Sequence, residues 1–184
     1  MATLQSNDFE LFDLPAQFAQ DRAAIDARWK DLQREAHPDK FSAQGAAAQR
    51  LAMQWSVRIN EAYQRLKDPQ RRAAYLCELH GAPITADTNT AMPAAFLMLQ
   101  MSWREALEEA ASVVELDAIG AQAKTYKNAA LEKIESSIDA KHDHAAAAAE
   151  VRSLMFVEKF LADVHARIDR AESQTVALSA GKGQ

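Results

Sequence analysis

The segment that most constrains the fold of this chain is His37-Pro38-Asp39-Lys40-Phe41, because it interrupts two long amphipathic stretches. Proline lacks a backbone N–H and keeps the preceding residue out of the helical region, so a helix that runs up to Ala36 must stop here. The tripeptide His37-Pro38-Asp39 is therefore expected on an exposed loop at a helix end. A histidine, a rigid proline and a carboxylate side by side make a compact polar tip that suits a charged crevice of a partner.

Apolar residues recur at helical spacing on both sides of this segment. Asp21 has the character of an N-cap, and the helix predicted after it carries one apolar stripe, formed by Ile25, Trp29, Leu32 and Ala36. Residues 45–67 predict a second long helix, with a stripe formed by Leu51, Trp55, Ile59, Ala62, Tyr63 and Leu66. The two helices should pack as an antiparallel hairpin with the tripeptide at its tip.

Two shorter helices are predicted next to this hairpin. Asn7 and Glu10 have the spacing of a capping box, which predicts a short helix near the start of the chain. Asp68 followed by Pro69 predicts the start of a fourth helix, and Gly81 is well placed to end it. Four helices are thus expected in residues 1–81.

The second part of the chain predicts three more helices. Residues 82–93 contain two prolines and no helical period, so they are interpreted as a linker. The helices that follow are expected to break near Asp117 and near His142–His144, and to end at about residue 172. Residues 173–184, rich in Ser, Ala and Gly, are expected to form a flexible tail.

The predicted fold class is therefore all-α. It consists of a four-helix unit built on an antiparallel hairpin of two long helices, followed by a three-helix bundle. The predicted segments are residues 1–81, the linker 82–93, the bundle 94–172 and the tail 173–184.

Composition excludes several classes of function. The net charge is −5, and the excess of negative charge lies in the second part: residues 1–81 hold 11 basic and 11 acidic side chains, which leaves 10 and 15 for the rest. Nucleic-acid binding is therefore not expected. No apolar run approaches the ~20 residues of a membrane span, and the N-terminus lacks a targeting pattern, so a cytoplasmic protein is expected. The single cysteine, Cys77, has apolar neighbours and is expected to be a buried thiol.

The first helix of the predicted bundle is apolar on two sides. The core stripe is formed by Phe96, Leu99, Trp103, Leu107, Ala110 and Val114, and the opposite side by Leu97, Met98 and Met101 with Glu105, Glu108 and Glu109. A bundle of three helices buries only one of these faces, so the second suits a partner protein. Phe156 lies off the seam of the last helix and is expected to join that surface. The alternative is that these residues pack against the N-terminal unit.

The ordered motifs of the chain resemble a known family. His37-Pro38-Asp39 between two helices, with Asn60-Glu61-Ala62-Tyr63 and Asp68-Pro69 after it, resembles the J-domain, which stimulates ATP hydrolysis by DnaK-type chaperones. Further motifs resemble HscB, the J-protein of iron–sulfur cluster assembly, over roughly residues 8 to 170. These motifs are Leu11-Phe12-Asp13-Leu14-Pro15, His37-Pro38-Asp39-Lys40-Phe41, Ala74-Tyr75-Leu76, Leu79-His80-Gly81 and Phe96-Leu97-Met98.

This resemblance implies a first partner, a DnaK-type ATPase chaperone of the HscA type. The residues implied to meet its acidic surface are His37, Pro38, Asp39, Lys40, Arg28, Lys30 and Arg34. Judged on the residues alone, the three cations of the second helix are an ordinary solvated face, because Asp26, Asp31 and Glu35 are interspersed with them. The resemblance favours the binding role.

The resemblance also implies a second partner, an IscU-like scaffold protein on which iron–sulfur clusters are built. The matching positions are Leu97, Met98, Met101, Glu105, Glu109 and Phe156. Ser102 departs from the family, which often has an acidic residue there, so the resemblance assigns it no contact. No catalytic residue, cofactor or resident metal is expected.

Two other functions remain open at this point. An enzyme could use His37 and Asp39 as an acid–base or metal pair, but no other His, Cys or carboxylate cluster lies within reach in the sequence to build a pocket. His142 and His144 lack a third ligand and are interpreted as loop residues rather than a metal site. A general J-protein or helical adaptor with an unrelated client is the second alternative.

Overall fold

The computed structural model describes residues 3–84 and 92–181, and the side chains of all of these except 42–44 and 175–181. Within these ranges the chain is all-α, as predicted. Its helices are α1 (Asp8–Phe12), α2 (Arg22–Glu35), a 3-10 helix (Pro38–Gln44), α3 (Ala46–Lys67), α4 (Pro69–Leu79), α5 (Ala94–Glu109), α6 (Val113–Glu135), a π-helical turn (Ser136–Ala140) and α7 (His144–Gly181). None of the helices in the described ranges combines the length and the apolar character needed to cross a membrane.

The N-terminal helices begin where the sequence predicts. Asn7 and Glu10 form a reciprocal capping box at α1, and Asp21 caps α2 through the Ala23 N–H. The helices α2 and α3 pack as the predicted antiparallel hairpin, with the Trp29 and Tyr63 rings stacked 4.6 Å apart. The local sequence signals were therefore sufficient to predict where these helices begin.

The break between α5 and α6 lies at residues 110–112, so the prediction of a break near Asp117 is wrong. Ser112 caps α6, and Glu115 reaches back to the N–H groups of Ala111 and Ser112 in a capping box. These hydrogen bonds lower the pKa of the Glu115 carboxyl below its ordinary value. Val114 was assigned to the core stripe of the preceding helix, but it lies in the first turn of α6 and is 78% exposed.

The second break lies at residues 141–143, as predicted, after the π-helical turn. The helix α7 then continues to Gly181, so the predicted end of the last helix at about residue 172 is wrong. Residues 173–180 contain neither proline nor glycine, so nothing in them ends a helix. Most of the predicted linker, residues 85–91, lies outside the described residues, and residues 82–84 are non-helical.

Two apolar clusters hold the helices together, and one of them belongs to both units. The first joins α1–α4 to the second half of the chain; its buried members from α4 onward are Ala73, Leu76, Cys77, Ile134, Ile138, Ala147, Ala148, Val151 and Leu154. The second joins α5, α6 and α7 around Phe96 and Trp103. Cys77 is buried in the first cluster, as predicted, and this burial raises the pKa of its thiol to about 11. The hairpin and the bundle therefore share a core.

Hydrogen bonds reinforce this junction beside the loop that joins α1 to α2. The Asp139 carboxylate accepts from the N–H groups of Phe18 and Ala19, at 2.7 and 2.8 Å. The buried Arg72 side chain donates to the Phe18 carbonyl at 2.8 Å and also to the Leu66 carbonyl. Burial lowers the pKa of Arg72, and the charges of Asp68 and Asp139 partly oppose this effect. Backbone carbonyls rather than a carboxylate thus hold the Arg72 guanidinium.

Candidate functional site

The tip of the hairpin is a short 3-10 helix that begins within the His37-Pro38-Asp39 motif. His37 is its N-cap, with the extended backbone that a following proline imposes, and its Nδ1 accepts from the Asp39 N–H at 3.3 Å. The loop expected from the sequence is thus partly helical, because Pro38 suits the first helical position. This local geometry fixes the three residues relative to one another.

The polar side chains of this tip face the solvent. The His37 side chain is 58% exposed and the Asp39 side chain 90%, with 3.6 Å between the imidazole Nδ1 and a carboxylate oxygen. Lys40 is also exposed, and Pro38 is half-buried. A partner can therefore approach the imidazole and the carboxylate together.

The predicted cations of α2 do not form one group. Lys30 and Arg34 are exposed on the face turned away from the Ile25–Leu32 stripe, where Arg34 pairs with Asp31 at 3.1 Å. Arg28 is half-buried at the edge of that stripe. The structure thus brings Lys30 and Arg34 together and separates Arg28 from them.

Arg28 lines an apolar groove between α2 and α3, just behind the tip. The groove measures about 530 Å³, and its other walls include Leu32, Phe41, Leu51 and Trp55. Leu51 was predicted to lie in the core, but it is 48% exposed because α2 ends before it can cover this first part of α3. Arg28 is therefore as much a packing residue as a surface charge.

The second candidate surface is the outer face of α5. Leu97, Met98 and Met101 are 46%, 70% and 66% exposed, and Glu105 and Glu109 on the same face are exposed as well. The alternative that these residues pack against the N-terminal unit is wrong for the described chain. Ser102 is also exposed. The apolar side chains of this face, which we call the α5 face, are open to a partner.

An aromatic cluster supports the α5 face from below. Phe96 and Trp103, 1% and 2% exposed, contact each other edge to face at 6.4 Å. Phe156 of α7 meets Phe96 edge to face at 5.6 Å and stacks with Phe160 at 6.3 Å. Phe156 is half-buried, so it belongs both to this cluster and to the edge of the exposed surface.

The sequence interpretation missed Arg104. Its guanidinium carbon lies 5.4 Å from the centroid of the Phe156 ring, so this arginine connects α5 to the exposed side of Phe156. The available signal was its position one turn after Met101, as the only basic residue of α5.

One of the two histidines near the second break stacks on a third histidine. His144, at the start of α7, lies face to face with His80 at the end of α4, with ring centroids 3.9 Å apart. Burial, followed by the neighbouring His80, lowers the pKa of His144. Across the described ranges no three potential ligands converge into a group that could hold a metal ion.

Comparisons with known proteins show the family of this chain. The family model described as the HSCB C-terminal oligomerisation domain matches residues 92–165. The co-chaperone protein HscB homolog of Burkholderia multivorans is 49% identical over 176 residues, which cover 94% of this chain and 100% of that relative. The chain belongs to the HscB family of co-chaperones. The HscB homolog of Burkholderia cenocepacia, 48% identical over 176 residues with the same coverage, supports the same assignment.

Solved HscB structures share the fold. HscB from Vibrio cholerae superposes with a TM-score of 0.76 at 34% identity, over 92% of this chain and 99% of that one. The crystal structure of human co-chaperone HscB gives a TM-score of 0.84 at 26% identity, over 90% of this chain and 84% of that one. The N-terminal hairpin unit is therefore a J-domain, and the family resemblance read from the sequence is confirmed.

Proposed function

We propose that this HscB-family chain binds an IscU-like iron–sulfur cluster scaffold protein and delivers it to an HscA-like DnaK-type ATPase in the cytoplasm. It would stimulate the ATPase of that chaperone during the maturation of iron–sulfur proteins. The observation that carries the proposal is the presence of two separate exposed surfaces, the hairpin tip and the α5 face, on one chain of this family.

The hairpin tip suits the chaperone. His37 and Asp39 are held by their own turn and are both exposed, and Lys30 and Arg34 offer positive charge along the same hairpin. Exposed cations steer association with an acidic surface more than they hold the complex. The tip would act as an allosteric effector, because contacts that favour the hydrolysis-competent state of the chaperone shift it toward that state.

The α5 face suits the scaffold. Exposed Leu97, Met98 and Met101 offer apolar anchors, and methionine adapts to the shape of a partner. Glu105 and Glu109 at the C-terminal end of the face would meet basic side chains of the scaffold. A few such anchors usually dominate the free energy of binding, so most of the affinity should come from the apolar residues and Phe156.

The other functions fit the geometry less well. The His37–Asp39 pair stands on an exposed tip rather than in an enclosing pocket, so we propose that the chain performs no covalent chemistry. A general J-protein would use the tip but would not need an acidic and apolar α5 face. Binding to the scaffold therefore separates the two interpretations.

A binding experiment with both partners tests this function. Calorimetric titration of the chain with an IscU-like scaffold should give a saturable 1:1 complex, and single-turnover ATP hydrolysis by the HscA-like chaperone should accelerate when the chain is added. Scaffold should increase that acceleration further. A chain that stimulates the chaperone but does not bind the scaffold would be a J-protein with a different client.

A further inference from the structure

Arg104 occupies an unusual position on the α5 face. It is the only basic residue in α5, where the other charged residues are Glu105, Glu108 and Glu109. Its side chain is exposed and lies over Phe156 of α7 rather than pairing with Glu108, the residue four positions later. A cation is thus placed where the α5 face meets the exposed edge of Phe156.

The other arginines that lie over aromatic rings are held by the protein itself. Arg22 pairs with Asp26 at 2.8 Å, Arg65 with Asp8 at 2.8 Å, and Arg72 donates to a backbone carbonyl at 2.8 Å. Among the arginines that lie over an aromatic ring in the described chain, Arg104 alone makes no hydrogen bond or ion pair with the protein. Its donors are available to a partner.

The ring beneath Arg104 is fixed, and this pre-organises the guanidinium. Phe156 is wedged between Phe96 and Phe160, with ring centroids 5.6 and 6.3 Å away. A guanidinium stacked on a fixed ring loses less conformational freedom on binding, and its planar fork matches a carboxylate with two parallel hydrogen bonds. Arginine beside an aromatic anchor is also a frequent hot spot of interfaces.

We propose that Arg104 is a specificity-determining residue of the α5 face, and that it binds an Asp or Glu carboxylate of the scaffold protein. This inference rests on the proposed function and adds to it a constraint on the partner. The scaffold must offer a carboxylate next to Phe156 and basic groups next to Glu105 and Glu109. A ligand with the reversed order of charges meets like charge at both places and is rejected.

Three variants test the role of Arg104 in scaffold binding. R104M keeps an aliphatic cover on Phe156 but removes the donors, and R104K keeps the charge but loses the planar fork. Lys124 is an exposed lysine of α6 and belongs to neither the hairpin tip nor the α5 face, so K124M is the matched control for the change in net charge. We expect R104M to weaken binding of the IscU-like scaffold about tenfold and R104K about threefold, with K124M within about twofold of wild type.

A different result is expected if Arg104 only covers the Phe156 ring and binds no carboxylate. In that case R104M binds at wild-type affinity, and its binding keeps the salt dependence of the wild type. This outcome would overturn the proposal. If Arg104 meets a carboxylate, R104M reduces the salt dependence of the dissociation constant because one charged contact is gone.

A charge swap identifies the partner group. R104E should lose scaffold binding, and one scaffold variant with an Asp or Glu changed to Lys should restore it, which also decides the matter if R104M proves less stable. Failure of every such scaffold variant to restore binding rules out a carboxylate partner. Wild type that does not bind the scaffold would instead refute the proposed function, since Arg104 then has no complex to act in.

Discussion

The hairpin tip and the α5 face are both exposed, but they are built in different ways. The tip depends on a few consecutive residues, whose geometry comes from Pro38 and from the hydrogen bond between the Asp39 N–H and His37. The α5 face depends on residues of two helices, and its edge residue Phe156 also packs against Phe96. Binding and stability are therefore separable at the tip and partly joined at the α5 face.

The largest expected effect is at the tip. His37→Gln should reduce stimulation of the HscA-like ATPase to the unstimulated rate, because the substitution removes the imidazole from an exposed position without disturbing the core. Single-turnover ATP hydrolysis measures this loss. Thermal melting and scaffold binding should stay at wild-type values, and stimulation that survives in this variant would contradict the role of the tip.

The next effect tests whether the α5 face is as separable as the tip. Leu97→Ala with Met98→Ala should change the stability by no more than about 0.5 kcal/mol, since both side chains are exposed. Phe156→Ala should cost about 1–3 kcal/mol, less than the 3–5 kcal/mol typical of a fully buried phenylalanine. Both variants should lose at least about tenfold in scaffold affinity.

Urea unfolding and titration with the scaffold measure these two quantities. Equal stabilities of the double variant and of Phe156→Ala would mean that Phe156 carries no packing role. Wild-type affinity in the double variant would place the scaffold site elsewhere on the chain.

A smaller effect concerns the cations of α2. Charge reversal at Lys30 and Arg34 should slow association with the chaperone about two- to fivefold at low salt and make the rate less sensitive to salt, because both charges are exposed. Arg28→Ala should instead lower the melting temperature, since its side chain covers apolar surface in the groove behind the tip. Stopped-flow kinetics at several salt concentrations measures the association rates, and thermal melting measures the effect of Arg28→Ala. An unchanged salt dependence would remove Lys30 and Arg34 from the interface.

The smallest effect concerns the junction between the N-terminal unit and the bundle. The pKa of His144 is lower in the folded chain than its ordinary value of 6.5, so the unfolded chain takes up the proton first as the pH falls. The stability from the neutral ring is present above about pH 6.5 and declines below it, with His80, His142 and Asp143 as the neighbouring titratable groups. Melting temperatures between pH 7 and 5 should fall less steeply for His144→Gln than for wild type. Parallel curves would exclude this histidine as a source of the pH dependence.

Sequence reasoning succeeded where the cause of a structure is local. The caps at Asn7, Asp21 and Asp68 and the stop before Pro38 each depend on a few adjacent residues, and all four are observed. The break near Asp117 was misplaced although Ser112 and Glu115 carried the same kind of local signal. That error came from following the apolar stripe past the cap, so it was avoidable.

Contacts between distant residues were not predictable in the same way. The chain was interpreted as two units with a linker, and no periodicity indicates that Leu76 packs with Val151 and Leu154 in one cluster. The same holds for Arg72, whose acceptors lie on other segments, and for Arg104, whose ring lies on α7. A helical wheel shows which side of a helix is apolar, but it does not show what that side meets.

The core shared by α4 and α7 has a consequence for synthesis of the chain. Translation releases α4 from the ribosome well before α7, whose buried residues Val151 and Leu154 belong to the same cluster as Leu76 and Cys77. Until α7 emerges, the part of the apolar surface of α4 that meets α7 has no cover, and it can bind holding chaperones or other nascent chains. The contacts that close this shared core therefore form only when most of the polypeptide has been made, and a message truncated after α4 yields a product in which that part of α4 is exposed.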